Sequence, residues 1–122
     1  MSEDVQAKID GIVKGNKVVV FMKGNPDFPQ CGFSGAVAQI FQSVGAPFAH
    51  VDVIDQPEFR EEIKQYSKWP TIPQVFIDGK MIGGCDIVKD MFESGELQKL
   101  IGDSVPLLQL NHSFLLDFST VT

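Results

Sequence analysis

Apolar residues recur along this chain with two periods, one helical and one extended, in alternating blocks. Val5, Ile9, Ile12 and Val13 share one helical face. Ser2 suits the N-cap of that helix, Glu3 and Asp4 suit its first turn, and Gly15-Asn16 ends it. Lys17 to Met22 is β-branched and aromatic, the pattern of a buried strand. After Gly35, the residues Val37, Ile40, Phe41 and Val44 fall at i, i+3, i+4 and i+7, and Gly45 stops this second helix. Phe48 to Val53 alternates as a second strand, and the strand-helix-strand order predicts a parallel, right-handed pairing with the first.

Pro57 then suits the first turn of a helix with Phe59, Ile63 and Tyr66 on its apolar face, and Trp69-Pro70 breaks it. Gln74–Ile77 and Lys80–Ile82 flank Asp78-Gly79, a strong hairpin signal. Gly83-Gly84 leads to Asp86, the expected N-cap of a helix carrying Ile87, Val88, Met91 and Phe92. Ser94-Gly95 interrupts that helix, and Leu97, Leu100 and Ile101 continue as a short last one to Gly102. The order predicts an α/β fold over residues 1–102, a four-stranded mixed sheet flanked by helices on both faces. Residues 103–122 form an apolar tail, with Val105, Leu107, Leu108, Leu110, Phe114, Leu115, Leu116 and Phe118; it is expected to pack on the domain, a partner or another copy.

Between the first strand and the second helix lies Lys23–Ser34, KGNPDFPQCGFS, a loop stiffened by Pro26 and Pro29. Cys31 therefore stands near a helix N-terminus, where free backbone N–H groups and the helix dipole favour the thiolate. Lys23 adds positive charge across the loop. A buried core thiol is the common fate of a cysteine, but the prolines and Gly32 argue for exposure. Three residues on, where a dithiol motif has its second cysteine, stands Ser34. A hydroxyl cannot resolve a mixed disulfide, so any partner thiol comes from elsewhere.

A chain of 122 residues is one domain with a modest core. The net charge of -6 and the lack of a basic run exclude nucleic acid as the main partner. Two cysteines make no disulfide framework, which implies a reducing compartment. No apolar stretch reaches the roughly 18 residues of a membrane span. The start, MSEDVQAKID, is acidic and lacks Arg, unlike a secretory signal or a transit peptide. The location is cytoplasmic as the sequence stands, or mitochondrial (or another organelle) if a presequence has been removed. His50 and His112 lack metal-ligand spacing to a cysteine.

The lysine, glycine, spaced prolines and CGFS of this loop resemble the monothiol glutaredoxins. The resemblance runs from about Val5 to Gly102 and recurs at Trp69-Pro-Thr-Ile-Pro-Gln74 and Gly83-Gly-Cys-Asp86. It implies a thioredoxin-like fold. It also implies that Ile72-Pro73 in Thr71–Gln74 is cis and presents the backbone of Ile72 beside Cys31. An extended peptide such as glutathione could add to that edge as a strand. Gly84, the backbone of Cys85, and Asp86 read from the residues alone as a tight turn with a cap, or as successive N–H groups for an anion. The resemblance makes them the seat of the γ-glutamyl carboxylate.

Arg60 and Lys64, four apart, read alone as a solvated face near Glu61 and Glu62. With the resemblance they become the clamp for the glycine carboxylate, with Lys23 beside them. Phe33 shields the sulfur from water or joins the core, and Cys85 is an inert core thiol or a slow disulfide partner of Cys31; both pairs of readings stay open here.

A 2Fe-2S cluster needs four ligands, usually thiolates. One chain offers Cys31, bound glutathione offers a second thiolate, and two such units complete the set. The expectation is a carrier that binds a glutathione-ligated 2Fe-2S cluster as a homodimer, with Cys31 as iron ligand, and passes it to apo iron-sulfur acceptor proteins. The alternative is weak glutathione-dependent thiol-disulfide exchange with Cys31 as nucleophile. A third reading is an adaptor, for which the resemblance implies BolA-like partners.

Overall fold

The computed structural model describes residues 3–102. The expected N-cap at Ser2 and the apolar tail lie outside them. The order is α1 (Glu3–Gly15), β1 (Val18–Met22), α2 (Gly32–Val44), β2 (Ala49–Asp52), α3 (Glu58–Ser67), β3 (Gln74–Ile77), β4 (Lys80–Gly83), α4 (Cys85–Ser94) and α5 (Glu96–Gly102). The strands form one sheet in the order β2-β1-β3-β4. β1 pairs in parallel with β2 and antiparallel with β3, and β3 pairs antiparallel with β4.

β1 is central, and all five of its residues are buried because both faces of the sheet are covered. Val18, Val20 and Met22 face a core built with Val37, Ile40 and Phe41 of α2, Val88 of α4, and Leu97 and Ile101 of α5. Val19 and Phe21 face the other core, with Ile9 and Val13 of α1, Phe59 and Ile63 of α3, and Phe76 of β3. The period-2 alternation of a strand thus sorts the helices into two layers. Phe21 and Phe76 meet edge to face, centroids 5.7 Å apart. The β3–β4 turn has positive φ at both Asp78 (55°) and Gly79 (78°), the conformation a two-residue hairpin favours.

α2 begins at Gly32, ahead of its apolar stripe, with Cys31 as N-cap, at the helix N-terminus the sequence placed it near. Two details depart from the sequence expectation. α4 takes Gly84 as its N-cap, and Asp86 sits one residue inside the first turn. Here extended backbone at Gly84 (φ -99°, ψ -157°) supplies the entry to the helix without a capping side chain. Ile87, expected on the apolar face of α4, is 38% exposed. It adjoins the fully buried Val88, about 100° away on the helix, and so turns from the core.

Candidate functional site

The sheet register brings four chain segments to one end of the sheet. Phe21 pairs with Gln74, and Met22 with Asp52, so the loop after β1, the start of β3 and the end of β2 lie together. Val75 pairs with Gly83, which adds the start of α4.

The loop after β1 is braced along its length. Gly24 has φ 86°, and a Cβ there would lie 2.5 Å from the Phe28 carbonyl oxygen and 2.6 Å from the Gln30 nitrogen, so only glycine fits. The Gln30 N–H donates to the Lys23 carbonyl (2.9 Å). The Asn25 side-chain oxygen accepts from the N–H groups of Asp27 (3.0 Å) and Phe28 (2.9 Å). Asp52 ties this loop to the next wall, its Oδ1 accepting from Gly24 (3.0 Å), Ile54 (2.9 Å) and Asp55 (3.2 Å). The Lys23 N–H donates to the Ser34 hydroxyl at 3.0 Å.

This bracing delivers Cys31 to the N-cap of α2 in an extended conformation (φ -155°, ψ 137°). The neutral thiol makes no capping hydrogen bond. Its pKa is nevertheless held below the ordinary thiol value, first by the Ser34 N–H, then by the Phe33 N–H, the Ser34 hydroxyl and the Lys23 charge, while partial burial opposes them. Cys85 is shifted the other way. Burial raises its pKa first, the Asp86 charge and Cys31 raise it further, and Lys89 lowers it only in part.

The third wall is the segment between α3 and β3. The Ile72-Pro73 bond is cis. Gln74, fully buried, donates from its amide to the carbonyls of Trp69 and Thr71, both at 3.0 Å, and so holds the segment in place. At Gly84 a Cβ would lie 3.2 Å from the Pro73 carbonyl oxygen, so glycine lets α4 close on this wall. No side chain caps α4, and its first-turn N–H groups are left for solvent or a ligand.

The walls enclose a cleft of about 530 Å³. Every residue that the sequence assigned to binding or reaction lines it. Cys31, Lys23 and Phe33 come from the first loop and α2, Arg60 and Lys64 from α3, Thr71, Ile72 and Pro73 from the cis segment, and Gly84, Cys85 and Asp86 from α4. Phe33 is 63% exposed, which excludes the core role for its ring. Cys85 is half-buried and, like Cys31, free. Lys64 is partly engaged by Glu61, 3.2 Å away. Because α3 and α4 cover opposite faces, the cleft crosses the end of the sheet from the Arg60 and Lys64 cations to the α4 N-terminus.

Sequence reasoning did not select Trp69, Pro70 and Ile87 as lining residues, nor Asp52, Gln74 and Ser34 as supports. A glutamine opening an otherwise apolar strand was the visible signal for one of them.

The glutaredoxin family model matches residues 18–82. The chain belongs to the glutaredoxin family. It is 48% identical over 101 residues to the rice protein named "Monothiol glutaredoxin-S7, chloroplastic", covering 83% of this chain and 60% of that one. The solution structure of reduced poplar apo GrxS14 matches with a TM-score of 0.71 and 47% identity, covering 81% of this chain and 91% of that chain. The crystal structure of a buckwheat glutaredoxin-glutathione complex matches with a TM-score of 0.73 and 28% identity, covering 84% and 96%. The fold of this glutaredoxin is therefore the thioredoxin-like one, and Ser34 in place of a second cysteine makes it a monothiol member.

Proposed function

We propose that this monothiol glutaredoxin binds glutathione in the cleft and, through the glutathione thiol and Cys31, carries a 2Fe-2S cluster between proteins. The observation that carries the reading is the cleft itself: an acid-shifted thiol lines it together with the Arg60 and Lys64 cations and the start of α4, which no side chain caps. Glutathione has a carboxylate at each end and a thiol between them. In this reading the backbone of Ile72 pairs with the extended peptide, with Thr71 and Pro73 shaping that edge. Gly84, Cys85 and Asp86 at the α4 N-terminus hold the γ-glutamyl carboxylate, and Arg60 and Lys64, with Lys23, hold the glycine carboxylate. The buckwheat relative solved with glutathione supports the choice of ligand.

Among the described residues no group of three or more His, Cys, Asp or Glu is placed to hold a metal ion. A cluster therefore draws most of its ligands from outside one chain, and two protomers each with one glutathione supply the four thiolates it takes. Half of those ligands belong to a small exchangeable peptide, which suits a cargo that must leave for an acceptor protein. A BolA-like partner would replace one protomer in the same arrangement.

Anaerobic reconstitution with iron and sulfide tests this. Cluster absorption bands that require glutathione, appear with a dimer mass and are absent in Cys31→Ser are expected. Bands in that variant, or bands without glutathione, overturn the reading.

The lowered pKa of Cys31 favours a second activity. Its thiolate attacks the glutathione sulfur of a mixed disulfide, releasing the substrate thiolate. A second glutathione thiolate then attacks the Cys31–glutathione disulfide and leaves as oxidised glutathione. Ser34 cannot take that second step, so turnover is slow. A colourless monomer that still reduces glutathione mixed disulfides would make this the main function.

A further inference from the structure

Ile87 is 38% exposed, although Val88 beside it is fully buried in the core that α4 faces. Its side chain has a definite seat all the same. A helical Cα–Cβ bond leans toward the helix N-terminus, so Ile87 lies over the residue four before it, Gly83. A Cβ on Gly83 would lie 2.8 Å from both Cβ and Cδ1 of Ile87, so the seat exists only because residue 83 is glycine. The next glycine repeats the device: a Cβ on Gly84 would lie 3.4 Å from the indole nitrogen of Trp69. Ile87 and Trp69 both line the cleft. Two successive glycines thus let two apolar side chains close on the entry of α4. Unpaired N–H groups gather at the same place. The helix ladder opens with the Val88 N–H donating to the Gly84 carbonyl (3.1 Å), which leaves the N–H groups of Cys85, Asp86 and Ile87 ahead of it.

Free N–H groups attract an anion, and a hydrocarbon wall beside them disfavours a hydrated one. The combination suits a carboxylate carried on a hydrocarbon stem. We infer that Ile87 is a specificity-determining residue of the cleft: seated on Gly83, it packs on the stem of the ligand whose carboxylate the α4 N–H groups hold. This role rests on the reading of the cleft as a glutathione site. The γ-glutamyl arm of glutathione places a pair of methylene groups between its carboxylate-bearing carbon and the peptide bond, and these are what Ile87 covers. A β-aspartyl arm is one methylene shorter and leaves part of the wall bare. Ile87 therefore selects the γ-linked peptide. Binding also takes out of water the apolar surface that Ile87 exposes in the free protein.

The test is an NMR chemical-shift titration of the reduced protein with glutathione and with β-aspartyl-cysteinyl-glycine, for wild type, Ile87→Ala, Ile87→Thr and Ile87→Val. Wild type is expected to prefer glutathione by about 4-fold, the worth of one buried methylene. Ile87→Ala and Ile87→Thr are expected to bind glutathione about 3- to 10-fold more weakly and to lose most of that preference. Ile87→Val, which has nearly the shape of Ile87→Thr but keeps the wall apolar, is expected to retain it. A role in holding the helix alone would weaken both peptides alike, so an unchanged preference in Ile87→Ala overturns the inference. Should that variant fail to fold, Ile87→Thr decides in the same way. A wild type that binds both peptides equally overturns the inference and leaves the glutathione reading standing. A wild type that binds neither overturns both.

Discussion

Cys31 and Cys85 stand at the N-terminal ends of two helices, line one cleft and are both half-buried, yet their acidities move in opposite directions. The helix dipole is common to both, so it does not account for the difference. Burial at Cys85 and position within the helix do. Cys31 is the N-cap of α2, where a side chain can reach the N–H groups two and three residues on, here Phe33 and Ser34. Cys85 is one residue inside α4, beyond its N-cap Gly84, and has the Asp86 carboxylate beside it. Burial first, then one neighbouring charge and one register step, separate the acid-shifted thiol from the other. The Asp86 that opposes Cys85 does not appear among the influences on Cys31.

The largest expected effect breaks the comparison outright. Cys31→Ser should abolish alkylation in the acid-shifted range and cluster loading while circular dichroism stays native, whereas Cys85→Ser should leave the Cys31 midpoint at or slightly below its wild-type value. Next comes Gly24→Ala, which forces a side chain into φ 86° and against the Phe28 and Gln30 backbone. The strain costs about 1–3 kcal/mol. It should lower the melting temperature and raise the Cys31 midpoint, with Cys85 unchanged.

Stability against pH sharpens the contrast through its sign. The depressed pKa of Cys31 contributes stability that is complete above the ordinary thiol pKa and is lost as pH falls through the folded value. The raised pKa of Cys85 contributes stability present below the ordinary thiol pKa and lost as pH rises through the folded value. Denaturation at a series of mildly alkaline pH values should therefore show Cys31→Ser losing more, relative to wild type, as pH rises, and Cys85→Ser losing less. Parallel trends would contradict the asymmetry.

Asp52→Ala removes the acceptor that joins Gly24 to the β2–α3 loop. A loss of about 1–3 kcal/mol in urea unfolding, with a smaller rise in the Cys31 midpoint, is expected. The smallest effect belongs to the far layer. Tyr66 donates to Asp10 at 2.6 Å between α3 and α1, away from the cleft. Tyr66→Phe should cost about 1 kcal/mol and leave both thiols as they are.

The layers of this fold were legible because β1 is apolar on both faces and the four longer helices carry period-3.6 stripes. Most cleft-lining residues were legible because three short motifs place them, Arg60 and Lys64 being singled out instead by their spacing on one helix face, and the sheet register gathers the motif segments at one end. What the sequence hid depends on contacts between distant segments. The Asp52 and Ser34 bonds reach Gly24 and Lys23, 28 and 11 residues away, and no local pattern announces them. Asp86 read as a cap from its residue type, but Gly83 and Gly84 let the chain enter the helix earlier than a capping side chain would require.

The most direct test of the two-cysteine account is alkylation of the reduced wild-type protein across pH, with the Cys31 and Cys85 peptides quantified separately by mass. The account predicts two curves, Cys31 with its midpoint below the ordinary thiol range and Cys85 above it, so that Cys31 is modified several-fold faster at neutral pH. Coincident curves, or a lower midpoint for Cys85, would contradict it.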